Sequence, residues 1–352
     1  MSSPPHGTPP SFRFDVKAPA PAGETSASPP SAASSQVRAL LARRSTGGGP
    51  DRVFKSIVTL AGVAVLAVVA LVLVELWSQS QLSIKEFGFK FFLSHDWDPV
   101  QGLFGALPFV YGTIVSSVLA LAIAVPLGVG VAMFMTEMCP RPLRSTVAFF
   151  AELLAAIPSV VYGLWGIFVL APLMREYVQP FSKKYLGWTG LFEGPPLGIG
   201  MMTAGVILAI MIVPFISSIT REMMLAVPQT QKEAVLALGS TRWEMIRIGI
   251  LRNARAGMIG GIILALGRAL GETMAVTMVI GNRPEIIKSL LAPAHTMASV
   301  IANEFTEATE DLYLSALVEV GLALFLVTIV VNGVAQLLIW SITRGHKAGV
   351  HV

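Results

Sequence analysis

Six stretches of the chain, roughly 56–76, 108–135, 146–174, 200–220, 257–280 and 312–342, are apolar over lengths that lipid can hold only as helices. A crossing takes about 20 helical residues, and the hydrocarbon core offers backbone polar groups no partner beyond the helix itself. The expected class is an all-α polytopic membrane protein with six transmembrane helices. Composition agrees: 13% of residues are charged, against about 25% in soluble domains. The third and sixth stretches exceed the minimum, which permits tilt. Between the first two, "SIKEFGFKFFLSHDWDPV" is too charged to cross and reads as an interfacial helix.

The ends are different material. Residues 1–50 hold 9 Pro, 9 Ser and 5 Gly, too little apolar surface to offset chain entropy. We expect a disordered cytoplasmic tail over 1–52, the six-helix domain over 53–345 and a short tail over 346–352. No apolar run near the start suits a signal peptide. Cys139 alone excludes an internal disulfide. The five histidines are scattered without an HExxH pattern, so no metal site is expected. The net charge of +4 does not imply nucleic acid, because the basic residues collect in alternate loops. With the N-terminus inside, the inner segments from Arg38 onward carry 15 Lys and Arg against 7 in the outer loops. The last outer loop, 281–311, is acidic. The positive-inside rule then puts both termini in the cytoplasm.

The longest inner connection, 221–256, is "REMMLAVPQTQKEAVLALGSTRWEMIRIGILRNARA". A helix is expected from Gln229–Thr230 after Pro228, ending at Gly239. Trp243, Ile246 and Ile250 then return at helical spacing. By itself such a helix could simply lie on the inner membrane surface. Its "EAVLALG", Glu233–Gly239, resembles the EAA signature of the inner-membrane components of binding-protein-dependent transport systems. Val235 replaces the second Ala, and Gly249 and Arg252 depart from the I-x-L-P element that follows, although Leu251 is retained. "ELLAAIPSVVYGLWG" (152–166), "GGIILALGRALGETMAVTMVIGN" (260–282) and "SALVEVGLALFLVT" (315–328) extend the resemblance to phosphate ABC-importer permease subunits, over residues 55–342.

The resemblance implies a type I importer (MetI-like) fold in a bacterial inner membrane. It also implies a coupling helix in which Glu233, Ala234, Gly239, Trp243 and Leu251 meet an ATPase. The implied partners are a companion permease (PstA-like), an ATPase pair (PstB-like) and an extracytoplasmic phosphate-binding protein (PstS-like). The chain has no G-x-x-x-x-G-K-[ST] loop. We therefore expect a transport subunit rather than an enzyme, with no cofactor of its own and ATP and magnesium held by the partner.

Within "GRALGETMAV", Arg268 stands 11 residues into the fifth stretch, about 16 Å from its inner end. Glu272 follows one turn later. Each such residue at mid-depth costs about 2.5–3.5 kcal/mol. Counting 1.5 Å per residue along the other stretches sets Ser159 and Glu319 at similar depth, giving one layer of Ser159, Arg268, Glu272 and Glu319 on three helices. Pro158 would break its helix beside this layer. An intrahelical Arg268–Glu272 pair has the weaker orientation, and an Arg268–Glu319 bridge would be structural glue. An anion path uses Arg268 better, since its guanidinium fork matches phosphate oxygens. Gly260, Gly261, Gly267 and Gly271 suit close helix packing, and Tyr162 and Trp165 suit packing or interface anchoring. An intramembrane hydrolase using Ser159 would lack a histidine base in any stretch. A scaffold or a permease for a sister oxyanion would keep the same architecture.

Overall fold

The computed structural model describes residues 48–344, and the expected disordered tail lies largely outside the described residues, as does 346–352. Among the described residues six helices are long and apolar enough to cross a membrane, so the all-α, six-span expectation holds. Contacts divide the chain into residues 1–68 and 69–352. Helix α1 (Gly48–Gln79) starts slightly before the boundary drawn from composition. Asp51 in its first turn complements the positive end of the helix dipole. In the first unit its side chains Val53, Ile57 and Leu60 are exposed.

In the second unit the interfacial segment forms α2 (Gln81–Phe87) and a following 3-10 turn that buries Phe91. Next comes α3 (Leu107–Met133), continued by a π-helical turn over Phe134–Met138. Helix α4 (Arg141–Ala156) leads to α5 (Ser159–Trp165), whose winding carries on in mixed α and π turns to Leu186. The central element is α6 (Met201–Leu225): 61% of its most apolar window is buried, against 28–39% for the other spans of this unit. Then follow α7 (Gln229–Ala237), α8 (Arg252–Leu270), α9 (Met274–Val279), α10 (Met297–Glu304) and α11 (Asp311–Arg344).

Small residues set the register. Helix α3 runs parallel to α6, with Gly128 against Ile216 and Gly205 against Leu119. Helix α8 runs antiparallel to α6, with Gly257 against Met223 and Gly261 against Ile219. Of the four glycines expected to pack closely in the fifth span, only Gly261 does so. Gly260 has open space and Gly267 has only Asn332 Nδ2 at 3.8 Å from a built Cβ. Gly271 instead ends α8.

Two of the expected stretches are interrupted, and the candidate spans there run Ser159–Thr189 and Arg242–Leu270 rather than over 146–174 and 257–280. The third, read as one stretch over 146–174, is two helices joined through extended Ile157 and Pro158. Proline removes a donor and forces its predecessor out of the helical region. The fifth breaks over Gly271–Thr273. Three apolar clusters hold the unit together. One surrounds α6 (Ile207, Leu208, Ile212, Ile216). A second, at the end holding 226–251, gathers Met224, Ile246, Ile250 and Met258. The third, at the opposite end, gathers Phe91, Trp97, Phe104, Phe109 and Leu317.

Candidate functional site

The two breaks lie side by side. Helices α5 and α9 pack through Gly163, where a Cβ would collide with Met278 Sδ and come within 3.2 Å of Ala275 Cα. Gly166 likewise leaves room for Ile207 and Val279. Tyr162, 7% exposed, bridges the first break by donating its hydroxyl to the Leu154 carbonyl at 2.8 Å. Beyond the second break, Glu272 accepts the Ala275 N–H at 3.4 Å, a carboxylate at the start of α9. Both half-helices therefore begin at this level, each with first-turn N–H groups that its own helix does not satisfy.

The α8–α6 register continues from Gly257–Met223 and Gly261–Ile219 to put Arg268 about level with Ile212, near the middle of α6. Val161, Tyr162 and Ile210 line one crevice, which puts the start of α5 at similar depth. Arg268 is exposed; Ser159 and Glu272 are partly exposed. Neither Arg268 nor Glu272 joins an ion pair within 4.0 Å among the described residues. The intrahelical pair and the Arg268–Glu319 bridge are thus not formed in this chain.

Glu319 does not belong to this layer. It is 1% exposed on α11, facing Ser83 of α2, and its Oε2 has no hydrogen-bond partner. Gly267 approaches Asn332, so Arg268 is level with that part of α11, about 20 Å along the axis from Glu319. The depth count misplaced Glu319 because α11 has 34 residues and its first turns pack into the opposite-end cluster. Counting from the end of such a helix does not count from the membrane edge.

At the other end, α7 starts after Pro228 and closes at Leu238, with Gly239 at φ +80°, a left-handed conformation that glycine takes without strain. Glu233, Ala234, Gly239 and Trp243 are exposed, together with Leu236 and Leu238. Leu238 is 88% exposed. Leu251 instead packs with the apolar cluster beneath. Thr241 and Glu244 form a reciprocal cap that starts the next helical run. "TRWE" carried that signal in the sequence, as a T-x-x-E box. Two contacts had no such signal: Lys232 Nζ meets Glu137 Oε1 at 2.8 Å, and Asn253 donates to Gln231 at 2.8 Å.

The opposite end is tied through Glu304, whose Oε2 accepts from Trp97 Nε1 at 2.8 Å and from the Tyr313 hydroxyl at 2.7 Å. His295, 1% exposed, holds Ser299 Oγ through Nδ1 at 2.6 Å. Its Nε2 lies 4.0 Å from Glu304 Oε1, too far to hydrogen-bond. Burial pushes the imidazole pKa down to about 4. Among the described residues no group of three His, Cys, Asp or Glu could hold a metal.

The model of the binding-protein-dependent transport system inner membrane component family matches residues 124–343. The chain belongs to that family. Its relatives include a phosphate transport system permease protein PstC of Mesorhizobium japonicum, 48% identical over 296 residues, covering 83% of this chain and 90% of the relative. One of the same name from Xylella fastidiosa is 48% identical, covering 84% and 92%. Among solved structures, a chain of the MetNI methionine ABC transporter in an inward-facing conformation aligns at 18% identity and TM-score 0.45, over 68% of this chain and 98% of that one. As a family member the chain is a membrane component of a multisubunit transporter. The family match takes in both breaks, the α7 region and nearly all of α11.

Proposed function

We propose that this chain is the membrane-spanning permease of an ATP-driven phosphate importer. The observation that carries the reading is Arg268: a guanidinium near the middle of the bundle, without a carboxylate partner among the described residues, beside the starts of two half-helices. The relatives named phosphate transport system permease protein point to the same substrate.

Arg268 would take two phosphate oxygens in its fork. Ser159 and the N–H groups at the start of α5 would add donors, aided by the positive end of that long helical run. Glu272 would keep the well shallow: a lone cation would trap the anion, and a carboxylate within one turn lets it leave. A companion permease would close the exposed side of Arg268. The exposed face of Glu233, Ala234, Leu238, Gly239 and Trp243 would seat an ATPase pair in the cytoplasm, with both chain termini on that side as the basic loops require. An extracytoplasmic phosphate-binding protein would deliver substrate at the opposite end.

The test is micromolar radiolabelled phosphate uptake in cells lacking their own high-affinity importer, expressing this chain with its partners, wild type against Arg268→Gln at equal membrane abundance. Uptake that collapses in the variant, with ATP hydrolysis retained by the purified complex, is the expected result. Equal uptake would make Arg268 a packing residue, and no wild-type uptake would return a sister oxyanion or a scaffold role.

A further inference from the structure

The contacts of α7 carry an inference that rests on its reading as the ATPase-coupling helix. Its outer face is exposed, while Val235 turns inward to Gly249, 3.4 Å from a Cβ built there. Along the chain, α7 leads through 238–251 into α8, the helix that bears Arg268. A push on α7 thus has a covalent route to one side of the mid-depth site. The other side is reached through space. Lys232 on α7 and Glu137 in the turn that ends α3 are 95 residues apart in sequence and 2.8 Å apart in space.

This pair is built differently from a surface contact. Its side chains are 14% and 16% exposed, whereas those of Arg283–Glu285 are 59% and 50% exposed. Partial burial strengthens the attraction and reduces screening by salt. Glu137 also sits in the π-helical turn Phe134–Met138, a winding that redirects side chains and recurs at functional sites. Thr136 within that turn returns its hydroxyl to the Ala132 carbonyl at 2.9 Å, and its own carbonyl accepts from Arg144 at 2.8 Å. The carboxylate is therefore presented from a braced turn. Helix α3 then runs parallel to α6 at glycine-mediated contact, and α6 packs against α5 at Gly166 and Ile207.

We propose that Lys232–Glu137 is a transmission strut: it makes α7 move α3 together with α8, so that one displacement at the ATPase face acts on both sides of the Arg268 site. Lys232 and Glu137 are positioning residues. They touch neither phosphate nor ATP. The neutral Gln231–Asn253 contact, 2.8 Å and exposed, holds α7 to the start of α8 and does not reach α3.

The experiment uses the complete complex in proteoliposomes, with ATP hydrolysis and phosphate uptake read from the same vesicles. Lys232→Gln and Glu137→Gln are expected to co-purify with the ATPase and hydrolyse ATP, while phosphate moved per ATP falls about fivefold or more. Lys232→Arg keeps the ratio, and the swap Lys232→Glu with Glu137→Lys restores most of it. A wild-type ratio in both single variants overturns the strut, as does a swap that assembles without recovering. A Lys232→Gln complex that loses its ATPase also overturns it, in favour of docking. Wild-type vesicles that hydrolyse no ATP or move no phosphate would bring down the importer reading itself, and the strut with it.

Discussion

At the α7 end, one partly buried ion pair and two neutral or capping contacts tie the chain together: Lys232 meets Glu137 at 2.8 Å, Asn253 meets Gln231, and Thr241 and Glu244 cap each other. Near the middle of α6, Arg268 has no carboxylate within 4.0 Å among the described residues, and Glu272 accepts from the start of α9. The difference is informative because the energetic pressure runs the other way. Unmatched charge costs little where water reaches it and about 2.5–3.5 kcal/mol at mid-membrane, yet the pairing is found at the periphery. A fold that needed Arg268 only for stability would have paired it. The α7 end is a built joint, and the mid-depth layer leaves the unpaired guanidinium that the proposed anion path needs.

That contrast can be broken most directly at Arg268. Arg268→Gln should lower phosphate uptake about a hundredfold, the loss of roughly two charge-assisted hydrogen bonds, with chain abundance on a membrane immunoblot unchanged. A variant that also failed to accumulate would mean that the charge is structural.

The opposite end should show a third behaviour, a buried base kept neutral. Because the folded pKa of His295 is about 4, below its ordinary 6.5, its contribution is fully present above pH 6.5. Stability should drop as pH falls toward 4, by about 3 kcal/mol in all, and no further below. Thermal unfolding in detergent at several pH values would read this, and His295→Gln should flatten the profile in that window.

Trp243, 57% exposed beside α7, should matter to the joint only through the partner. Trp243→Ala is expected to weaken ATPase binding by about 2 kcal/mol while leaving the melting temperature of the isolated chain in place. Co-purification under graded salt and detergent checks it.

The smallest effects separate the two kinds of glycine. Gly163→Val should destabilise by about 1–2 kcal/mol, since it wedges α5 from α9 against the Ala275 backbone. Gly267→Ala, one residue before Arg268 with only Asn332 Nδ2 at ordinary contact distance, should be neutral or stabilise by less than about 1 kcal/mol. Melting curves of the two variants side by side would show whether the half-helix contact is the tight one.

Much of the fold was legible because lipid simplifies it. Apolar length alone gave six spans, and Pro158 announced the break in the third. The break in the fifth was hidden, since a glycine within an apolar run reads equally as packing or as a stop. Gly271 proved to be the stop and Gly261 the packing residue. The helix of the coupling segment was legible through Pro228 and Gly239, yet which of its residues face outward was not: Leu251 points into the apolar cluster.

The sequence by itself determined the class, the number of spans, which connections are basic, and the presence of an arginine and a glutamate that lipid would not tolerate idly. These follow from local properties, hydrophobicity summed over about 20 residues and charge counted loop by loop. Only the tertiary structure decided which polar groups share a level. It set the starts of α5 and α9 side by side next to Arg268, buried Glu319 about 20 Å away along α11, and joined Lys232 to Glu137 across 95 residues. Depth and pairing depend on where long helices start, tilt and break against one another, and those are set by side-chain packing between segments far apart in the chain.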